Sequence, residues 1–243
     1  MTPSTSTLVL LHGLGATAAV WQPLLDHLDG RWEGRCLAPD LAGHGRAPRW
    51  PRYSFGGYAA QVTAALHDRR NGDDEVVVMG HSMGGVVALA LASGCFGIRP
   101  RRTIGLGIKV RWDADELAKA QELSTRPPRS FATRADAAER WLRISGLTGL
   151  VQPDDPMVAS GVVEGSDGWQ LAWDPATAAV GAPPMRNLLD VAGGQVVLAR
   201  GEHGHLVDLD DLRALVGDPV VLAGRGHNAH VEEPADVARL LLA

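Results

Sequence analysis

The segment from Glu75 to Leu91 constrains the fold of this chain more than any other stretch. After Glu75 come four apolar residues, most of them β-branched, which are typical of a strand buried in a parallel sheet. A Gly-His-Ser-Met-Gly turn follows, and the apolar, alanine-rich run after it predicts a buried helix. The small residues Gly80, Gly84 and Gly85 suit a turn in which a larger side chain would collide with the crossing backbone. The segment therefore predicts a strand–turn–helix unit with Ser82 at the turn.

Ser82 is predicted to be a nucleophile. A serine at such a turn is held in a strained backbone, with its hydroxyl group exposed at the carboxyl end of the sheet. The turn matches the G-x-S-x-G nucleophile elbow, and strand, motif and helix follow one another in the required order. The alternative is a chance glycine–serine turn between a strand and a helix, which this order disfavours.

Length and composition predict a globular protein with one large core. A chain of 243 residues favours one domain with an insertion over two independent domains. Apolar residues make up 45% and charged residues 21%, which is ordinary for a soluble protein. The formal charge of −5 provides no basic surface for nucleic acid or an anionic membrane, so neither is expected as a partner.

The N-terminal residues and the cysteines favour a cytoplasmic location. Residues 1–7 lack the basic start and the apolar stretch of a signal peptide, and no apolar run approaches the length of a membrane span. Cys36 and Cys95 have no framework spacing, which predicts free thiols in a reducing compartment.

Strand and helix patterns alternate along most of the chain. The candidate strands are 7–11, 34–38, 76–79, 103–110, 195–200 and 219–223. This alternation predicts a mostly parallel sheet that is covered by helices on both faces. From Trp112 to about Pro184, helical segments alternate instead with Pro- and Gly-rich connections, and no buried-strand pattern occurs. We therefore expect a helical insert above the carboxyl ends of the strands, where open α/β sheets bind ligands.

Four segments resemble the α/β-hydrolase family, specifically its capped serine hydrolases and esterases, and the resemblance extends over nearly the whole chain. They are His12-Gly13, Asp40–Gly45, Gly80–Gly85 and Gly226–Pro234. The resemblance implies a core domain in two parts, residues 1–111 and 186–243, with a helical cap at 112–185. Many members begin with two antiparallel strands, for which this chain has too few residues, so a sheet of about six strands is expected.

The resemblance also implies an oxyanion hole and a base. The backbone N–H groups of Leu14 and Met83 would stabilise the oxyanion. His227 would be the base, since it directly follows the glycine after the last strand. The alternative base is His230, which is expected to pack in the loop.

The acid of a catalytic triad is missing from its usual place. The family pattern expects a carboxylate where Gly204 stands. Asp113, near the end of the strand after the elbow helix, is the first candidate, although it would also suit a helix N-cap. Glu202 or Asp208 could reach in from the local turn. Otherwise the enzyme uses a Ser–His dyad or has lost hydrolysis, because removal of the acid can lower turnover by about four orders of magnitude.

These residues predict a serine hydrolase for a moderately hydrophobic small molecule. Ser82 would form an acyl-enzyme from an ester, thioester, lactone or amide, and His227 would move the proton. No cofactor is implied, and the pair His203 and His205 lacks further ligands for a metal site. Two alternatives are a lyase-type enzyme on the same fold and, because of Gly204, a binding protein or weak pseudoenzyme.

Two further groups of residues allow more than one interpretation. Several basic residues predict either a solvated surface or contact with a carrier protein: Arg99, Arg101, Arg102, Lys109 and Arg111. Four tryptophans in or beside the insert would either bury its helices or line a pocket over Ser82: Trp112, Trp141, Trp169 and Trp173.

Overall fold

A six-stranded sheet forms the centre of the protein in the computed structural model, which describes residues 6–68 and 75–242. Its strands are β1 (Ser6–Leu11), β2 (Gly34–Leu37), β3 (Val76–His81), β4 (Arg102–Leu106), β8 (Gln195–Gly201) and β9 (Val220–Leu222). They lie in the order β2-β1-β3-β4-β8-β9, and each neighbouring pair is parallel. The predicted α/β fold with a parallel sheet of about six strands is confirmed.

Helices flank this sheet and fill the long connection between β4 and β8. The helices are α1 (Gln22–Leu28), α2 (Phe55–His67), α3 (Met83–Ala92), α4 (Ala114–Ser124), α5 (Arg134–Ile144), α6 (Met185–Val191), α7 (Leu209–Val216), α8 (Ala229–Glu232) and α9 (Pro234–Leu242). Short 3₁₀ helices occur at Ala18–Trp21, Pro156–Ser160 and Pro175–Val180. Within the described ranges, no helix is both long and apolar enough to span a bilayer.

Both faces of the sheet are buried because successive side chains of a strand point to opposite sides. Leu8 and Leu10 of β1 belong to a cluster with Trp21 and other residues of the flanking helices. Val9 and Leu11 belong to a second cluster, which contains residues of α2 and α3. The continuous apolar runs of the sequence are therefore explained by burial on two sides.

Strand β4 ends at Leu106, earlier than the predicted 103–110. Gly107 has a φ of +63°, which leaves the strand conformation. Ile108 then folds back, and a Cβ atom on Gly105 or Gly85 would lie 2.2 or 2.5 Å from its side chain. The apolar residues after 106 are thus buried by a turn and not by continued pairing, a distinction that periodicity does not reveal.

The insert between β4 and β8 is not purely helical. It contains a small antiparallel sheet in the order β5-β7-β6, formed by β5 (Ser130–Phe131), β6 (Val162–Gly165) and β7 (Gly168–Leu171). These strands are short, and most of β6 is exposed, so the sequence carried no buried-strand pattern here. Trp141 and Trp173 of the insert belong to the same buried cluster as Leu10 of the main sheet. The boundaries at residues 112 and 185 stay a prediction.

Candidate active site

Ser82 occupies a sharp, strained turn at the carboxyl end of β3. Its backbone angles are φ +50° and ψ −115°, and it is the one non-glycine residue with positive φ among those described. A Cβ atom on Gly80 would lie 2.1 Å from the carbonyl oxygen of Gly84, and one on Gly84 would lie 2.2 Å from that of Leu11. Glycine is therefore required at both positions of this turn.

The two residues proposed for the oxyanion hole both line the cavity that contains Ser82. Leu14 lies in the turn after β1, and Met83 is the first residue of α3. The first N–H groups of a helix have no acceptor within the helix, so the N–H of Met83 is suited to bind an anionic oxygen. The fold thus brings Leu14 and Met83 to the same cavity as Ser82.

His227 lies in the loop after β9 and lines the same cavity. Its ring packs on the backbone of Gly107, where a Cβ atom would lie 3.3 Å from Nδ1. Nδ1 is buried and has no hydrogen-bond partner in the part of the chain that the structure describes. Burial lowers the pKa of His227 to about 4. The imidazole is therefore neutral at pH 7, and no described residue fixes its tautomer through Nδ1.

Asp113 is exposed and is the N-cap of α4. Its Oδ1 accepts a hydrogen bond of 2.8 Å from the N–H of Glu116, whose side chain accepts one from the N–H of Asp113. This reciprocal capping box is the alternative role that the sequence allowed. The structure does not bring Asp113 to Nδ1 of His227, contrary to the expectation that it completes a triad.

The other two carboxylate candidates also bind elsewhere. Glu202 accepts a hydrogen bond of 2.7 Å from the N–H of Gly224. Asp208 caps α7 and accepts two hydrogen bonds of 2.9 Å from the first turn of that helix. Gly204 packs beside the base, since a Cβ atom there would lie 3.7 Å from Cα of His227. Ser82 and His227 thus line one cavity, and none of these three carboxylates binds Nδ1 of His227 in the described part of the chain.

The backbone of the His227 loop is held by residues that the sequence analysis did not single out. The carboxylate of Glu232 accepts hydrogen bonds from the N–H of Gly226, at 2.5 Å, and of Asn228, at 3.1 Å. Asn228 is buried and donates through Nδ2 to the carbonyl of Gly146, at 2.9 Å, at the end of α5. Glu232 and Asn228 lie within the segment that resembles the family, but only the folded loop shows which atoms they bind.

Three histidine rings pack together in tilted orientations beside Ser82. The ring of His81 lies 4.6 Å from that of His227 and 4.5 Å from that of His230, measured between centroids. His230 is fully buried against Trp21, and neither of its ring nitrogens has a partner among the described residues. Burial lowers the pKa of His230 to about 3. This agrees with a packing role for His230.

The cavity above Ser82 has a volume of about 370 Å³ and a mainly apolar wall. The core contributes Leu14, Phe55 and Val86, and the insert contributes Trp112, Leu117 and residues 178–182. The wall also contains the ion pair between Lys109 and Glu116. Such a cavity can hold a small, largely apolar molecule.

The tryptophans have different roles. Trp112 lines the cavity, whereas Trp141 and Trp173 are buried in the hydrophobic core and Trp169 packs against it. Trp112 therefore fits the interpretation as a pocket residue, and the other three tryptophans fit the interpretation as buried packing residues.

The predicted basic cluster does not form one surface. Arg101 precedes β4 and pairs with Glu75 at 3.0 Å. Lys109 and Arg111 follow the opposite end of β4, and Arg111 pairs with Asp211 at 3.4 Å. Strand β4 separates Arg101 from Lys109 and Arg111. Each of these three residues forms an ion pair with an acidic side chain.

The described ranges contain no group of three His, Cys, Asp or Glu side chains that could hold a metal ion. Cys36 and Cys95 are free and exposed.

The sequence from residue 8 to residue 240 matches the model of the alpha/beta hydrolase family. The chain belongs to this family. The match covers both parts of the main sheet and the insert between them, so family membership extends over nearly the whole molecule.

Two curated relatives carry different names. The chain is 29% identical to "Lipase LipV" from Mycobacterium tuberculosis over 172 residues, which cover 67% of this chain and 60% of the lipase. It is 26% identical to "Biotin biosynthesis bifunctional protein BioHC" from Saccharophagus degradans over 99% of this chain and 44% of that protein. The alignments thus span about half the length of these relatives.

Among solved structures, a thioesterase domain from the curacin biosynthetic pathway superposes with a TM-score of 0.80 and 23% identity. The superposition covers 100% of this chain and 92% of the domain. This likeness concerns the fold.

Proposed function

We propose that this protein is a serine hydrolase that cleaves an ester, thioester, lactone or amide through an acyl-enzyme on Ser82. The observation that carries the proposal is the backbone of Ser82, strained at φ +50° and facing the cavity that His227 also lines. Strain of this kind persists where the surrounding structure enforces it, as at catalytic nucleophiles. Family membership and the name of the lipase relative support the same reaction class.

Each proposed residue has a chemical role. Ser82 attacks the carbonyl carbon, and His227 accepts the hydroxyl proton and later returns it to a leaving group. The N–H groups of Leu14 and Met83 stabilise the oxyanion. The apolar cavity of about 370 Å³ selects a moderately hydrophobic small molecule.

A second candidate is a binding protein or a very weak enzyme. The unpartnered Nδ1 of His227 favours it, because an imidazole without an orienting acid is a poor base toward serine. In that case the cavity would hold a ligand without cleaving it.

A fluorophosphonate probe distinguishes the two candidates. Stoichiometric labelling that is lost in Ser82→Ala, together with Ser82-dependent release of p-nitrophenol from short acyl esters, is expected for the hydrolase. Ser93→Ala is a matched control, because Ser93 lies at the end of α3, away from the cavity. Absence of labelling under conditions that label a control esterase would favour the binding protein.

A further inference from the structure

A second cavity adjoins the one that contains Ser82. It has a similar volume, about 370 Å³, and its wall consists mainly of charged and polar side chains. Lys109, Glu116 and Leu206 line both cavities, so these three residues form the boundary between them. Because the wall of the first cavity is mainly apolar, a molecule that occupies both cavities needs an apolar part and a polar part.

The boundary between the two cavities lies next to His227. Gly107 packs on the ring of this histidine, and Gly204 packs beside its Cα atom. Lys109 and Leu206 each follow one of these glycines by two residues, a separation that spans at most about 7 Å of chain. In the proposed reaction His227 returns a proton to the leaving group, so the leaving group lies on this side of the site.

The side chain of Lys109 is held at this boundary from both ends. The preceding residue, Ile108, is buried against Gly85. The ammonium group of Lys109 donates a hydrogen bond to Oε1 of Glu116, and Oε2 of Glu116 accepts one of 3.1 Å from the N–H of Asp113. These two hydrogen bonds lower the pKa of Glu116, so the ion pair is fully charged at neutral pH.

The ammonium group of Lys109 has two further N–H donors. An ammonium group carries three donors and no acceptor, and Glu116 takes one of the three. The described residues supply no other acceptor for Nζ, and 30% of the side chain is exposed. Lys109 can therefore donate a charge-assisted hydrogen bond to an oxygen atom of a molecule at the boundary.

The charges at the boundary favour an uncharged oxygen over an anionic one. Glu116 already offsets the charge of Lys109. In the second cavity Arg111 is paired with Asp211, and the wall contains four carboxylates against one lysine and one arginine. An anionic group would therefore approach charges of its own sign, which is unfavourable.

We propose that Lys109 recognises an oxygen atom in the leaving group of the substrate, and that this leaving group is an uncharged polar chain that extends into the second cavity. The proposal rests on the serine hydrolase function proposed above. The acyl part then contacts the apolar wall, to which Phe55 and Val86 belong. In acylation, the Ser82 oxygen bonds to the carbonyl carbon, the bond to the leaving group breaks, and the Ser82 proton passes through His227 to that group.

A series of hexanoate esters tests the proposal with the intact protein. The 2-hydroxyethyl, 3-hydroxypropyl and 4-hydroxybutyl esters are compared with the propyl, butyl and pentyl esters, which match them in non-hydrogen atoms. Release of hexanoic acid is followed by titration at constant pH. We expect kcat/KM for at least one hydroxyalkyl ester to exceed that for its alkyl partner about tenfold, as for one hydrogen bond to a charged donor. A ratio below about threefold in all pairs would overturn the proposal.

Lys109→Met removes the N–H donors but keeps an unbranched side chain. The ratio within the best ester pair should fall about tenfold in this variant, and changes that affect both esters cancel in the ratio. Lys119→Met is the matched control and should retain the wild-type ratio, because Lys119 is exposed on α4 and lines neither cavity. The same ratio in Lys109→Met and in the wild type would overturn the proposal.

Glu116→Gln tests the effect of charge at the boundary. Glutamine also suits this position of a capping box, so the start of α4 is retained. We expect kcat/KM for 3-carboxypropyl hexanoate, whose leaving group is anionic, to rise about tenfold, while the hydroxyalkyl ratio stays within about twofold. Faster cleavage of the carboxypropyl ester than of every hydroxyalkyl ester by the wild type would overturn the preference for an uncharged group. If Lys109→Met does not fold, the wild-type ratios and Glu116→Gln decide.

Pentyl 6-hydroxyhexanoate has its hydroxyl group in the acyl part. If Lys109→Met slows cleavage of this ester more than that of the hydroxyalkyl hexanoates, both relative to pentyl hexanoate, the assignment of Lys109 to the leaving group is wrong.

The two proposals fail in different ways. If no ester of the series is cleaved in a Ser82-dependent manner, the hydrolase function itself is wrong. If Ser82-dependent cleavage shows no preference for hydroxyalkyl esters, the function stands and only the recognition by Lys109 is wrong.

Discussion

Nε2 of His81 donates a hydrogen bond of 3.0 Å to the backbone carbonyl of His227. The residue beside the proposed nucleophile is thus tied to the backbone of the proposed base. Glu232 holds the N–H groups on either side of the same residue. In place of a carboxylate that orients the ring, the structure has contacts that fix the position of the main chain.

The Glu232 contacts predict a positioning effect on catalysis. The carboxylate of Glu232 accepts hydrogen bonds from two N–H groups through its two oxygens. In Glu232→Gln the side chain has only one acceptor oxygen, so one of these hydrogen bonds is lost. We expect kcat to fall about tenfold with little change in KM, and stability to fall by about 1.5–3 kcal/mol, as for hydrogen bonds to charged groups. Steady-state kinetics and urea unfolding measure these effects.

The matched control for Glu232→Gln is Glu233→Gln. Glu233 lies next to it and pairs with Arg225 at 3.7 Å near the surface, where an ion pair contributes little. Equal loss of activity in both variants would argue against a specific role of the Glu232 hydrogen bonds.

Asp113 is expected to act on stability and not on turnover. Asn is as good an N-cap as Asp, so Asp113→Asn should leave kcat within twofold, while Asp113→Ala should lose about 1 kcal/mol of stability. Thermal unfolding and ester hydrolysis check the two parts. A loss of turnover near 10³-fold in Asp113→Asn would reinstate Asp113 as the triad acid.

The pH dependence of acylation should reflect the buried base. Because burial lowers the pKa of His227 to about 4, the imidazole stays deprotonated well below neutral pH. We expect kcat/KM for an aryl ester to stay constant from pH 8 to about 5.5 and to fall only as the pH approaches that pKa. In Gly204→Asp the fall of kcat/KM at acid pH should begin at a higher pH, since a nearby carboxylate favours the imidazolium and raises the pKa of His227.

This profile is measured in brief assays, with tryptophan fluorescence confirming that the protein remains folded at each pH. An acid limb near pH 6.5 in the wild type would show that His227 has a stabilising partner in solution.

Buried neutral histidines should also make the fold sensitive to acid. Burial lowers the pKa values of His44 and His230 to about 3, whereas in the unfolded chain they stay near 6.5. Below pH 6.5 the unfolded state binds more protons than the folded state. The free energy of unfolding is therefore highest above pH 6.5 and falls as the pH is lowered toward 3. At pH 5.5 each histidine should lower the free energy of unfolding by about 1.4 kcal/mol.

His230→Phe removes one of these groups from its site beside Trp21. The difference in unfolding free energy between pH 7.5 and 5.5 should shrink by about 1.4 kcal/mol, and any packing change cancels in this difference. The exposed His203 provides a control, and His203→Gln should leave the difference unchanged. An unchanged difference in His230→Phe would contradict the assigned burial effect.

Much of the architecture could be predicted because it depends on local patterns. Apolar runs such as Val76–Met79 predict strands buried on two faces, and the order of strand, turn and helix around Ser82 predicts the elbow. Gly80 and Gly84 were expected for steric reasons, and the structure places carbonyl oxygens where their side chains would be. Short polar strands such as Val162–Gly165 were missed, because partly exposed strands carry no buried pattern.

The sequence by itself determined the parallel sheet, the turn that carries Ser82 and the glycine at position 204, because each is a property of residues adjacent in the chain. Only the tertiary structure decided which groups reach His227. The backbone of Gly107 covers its ring, Asp113 caps a helix, and Glu232 holds its loop. The reason is physical: hydrogen-bond partners depend on distances of a few ångströms between segments far apart in sequence, and these distances are set when the chain packs.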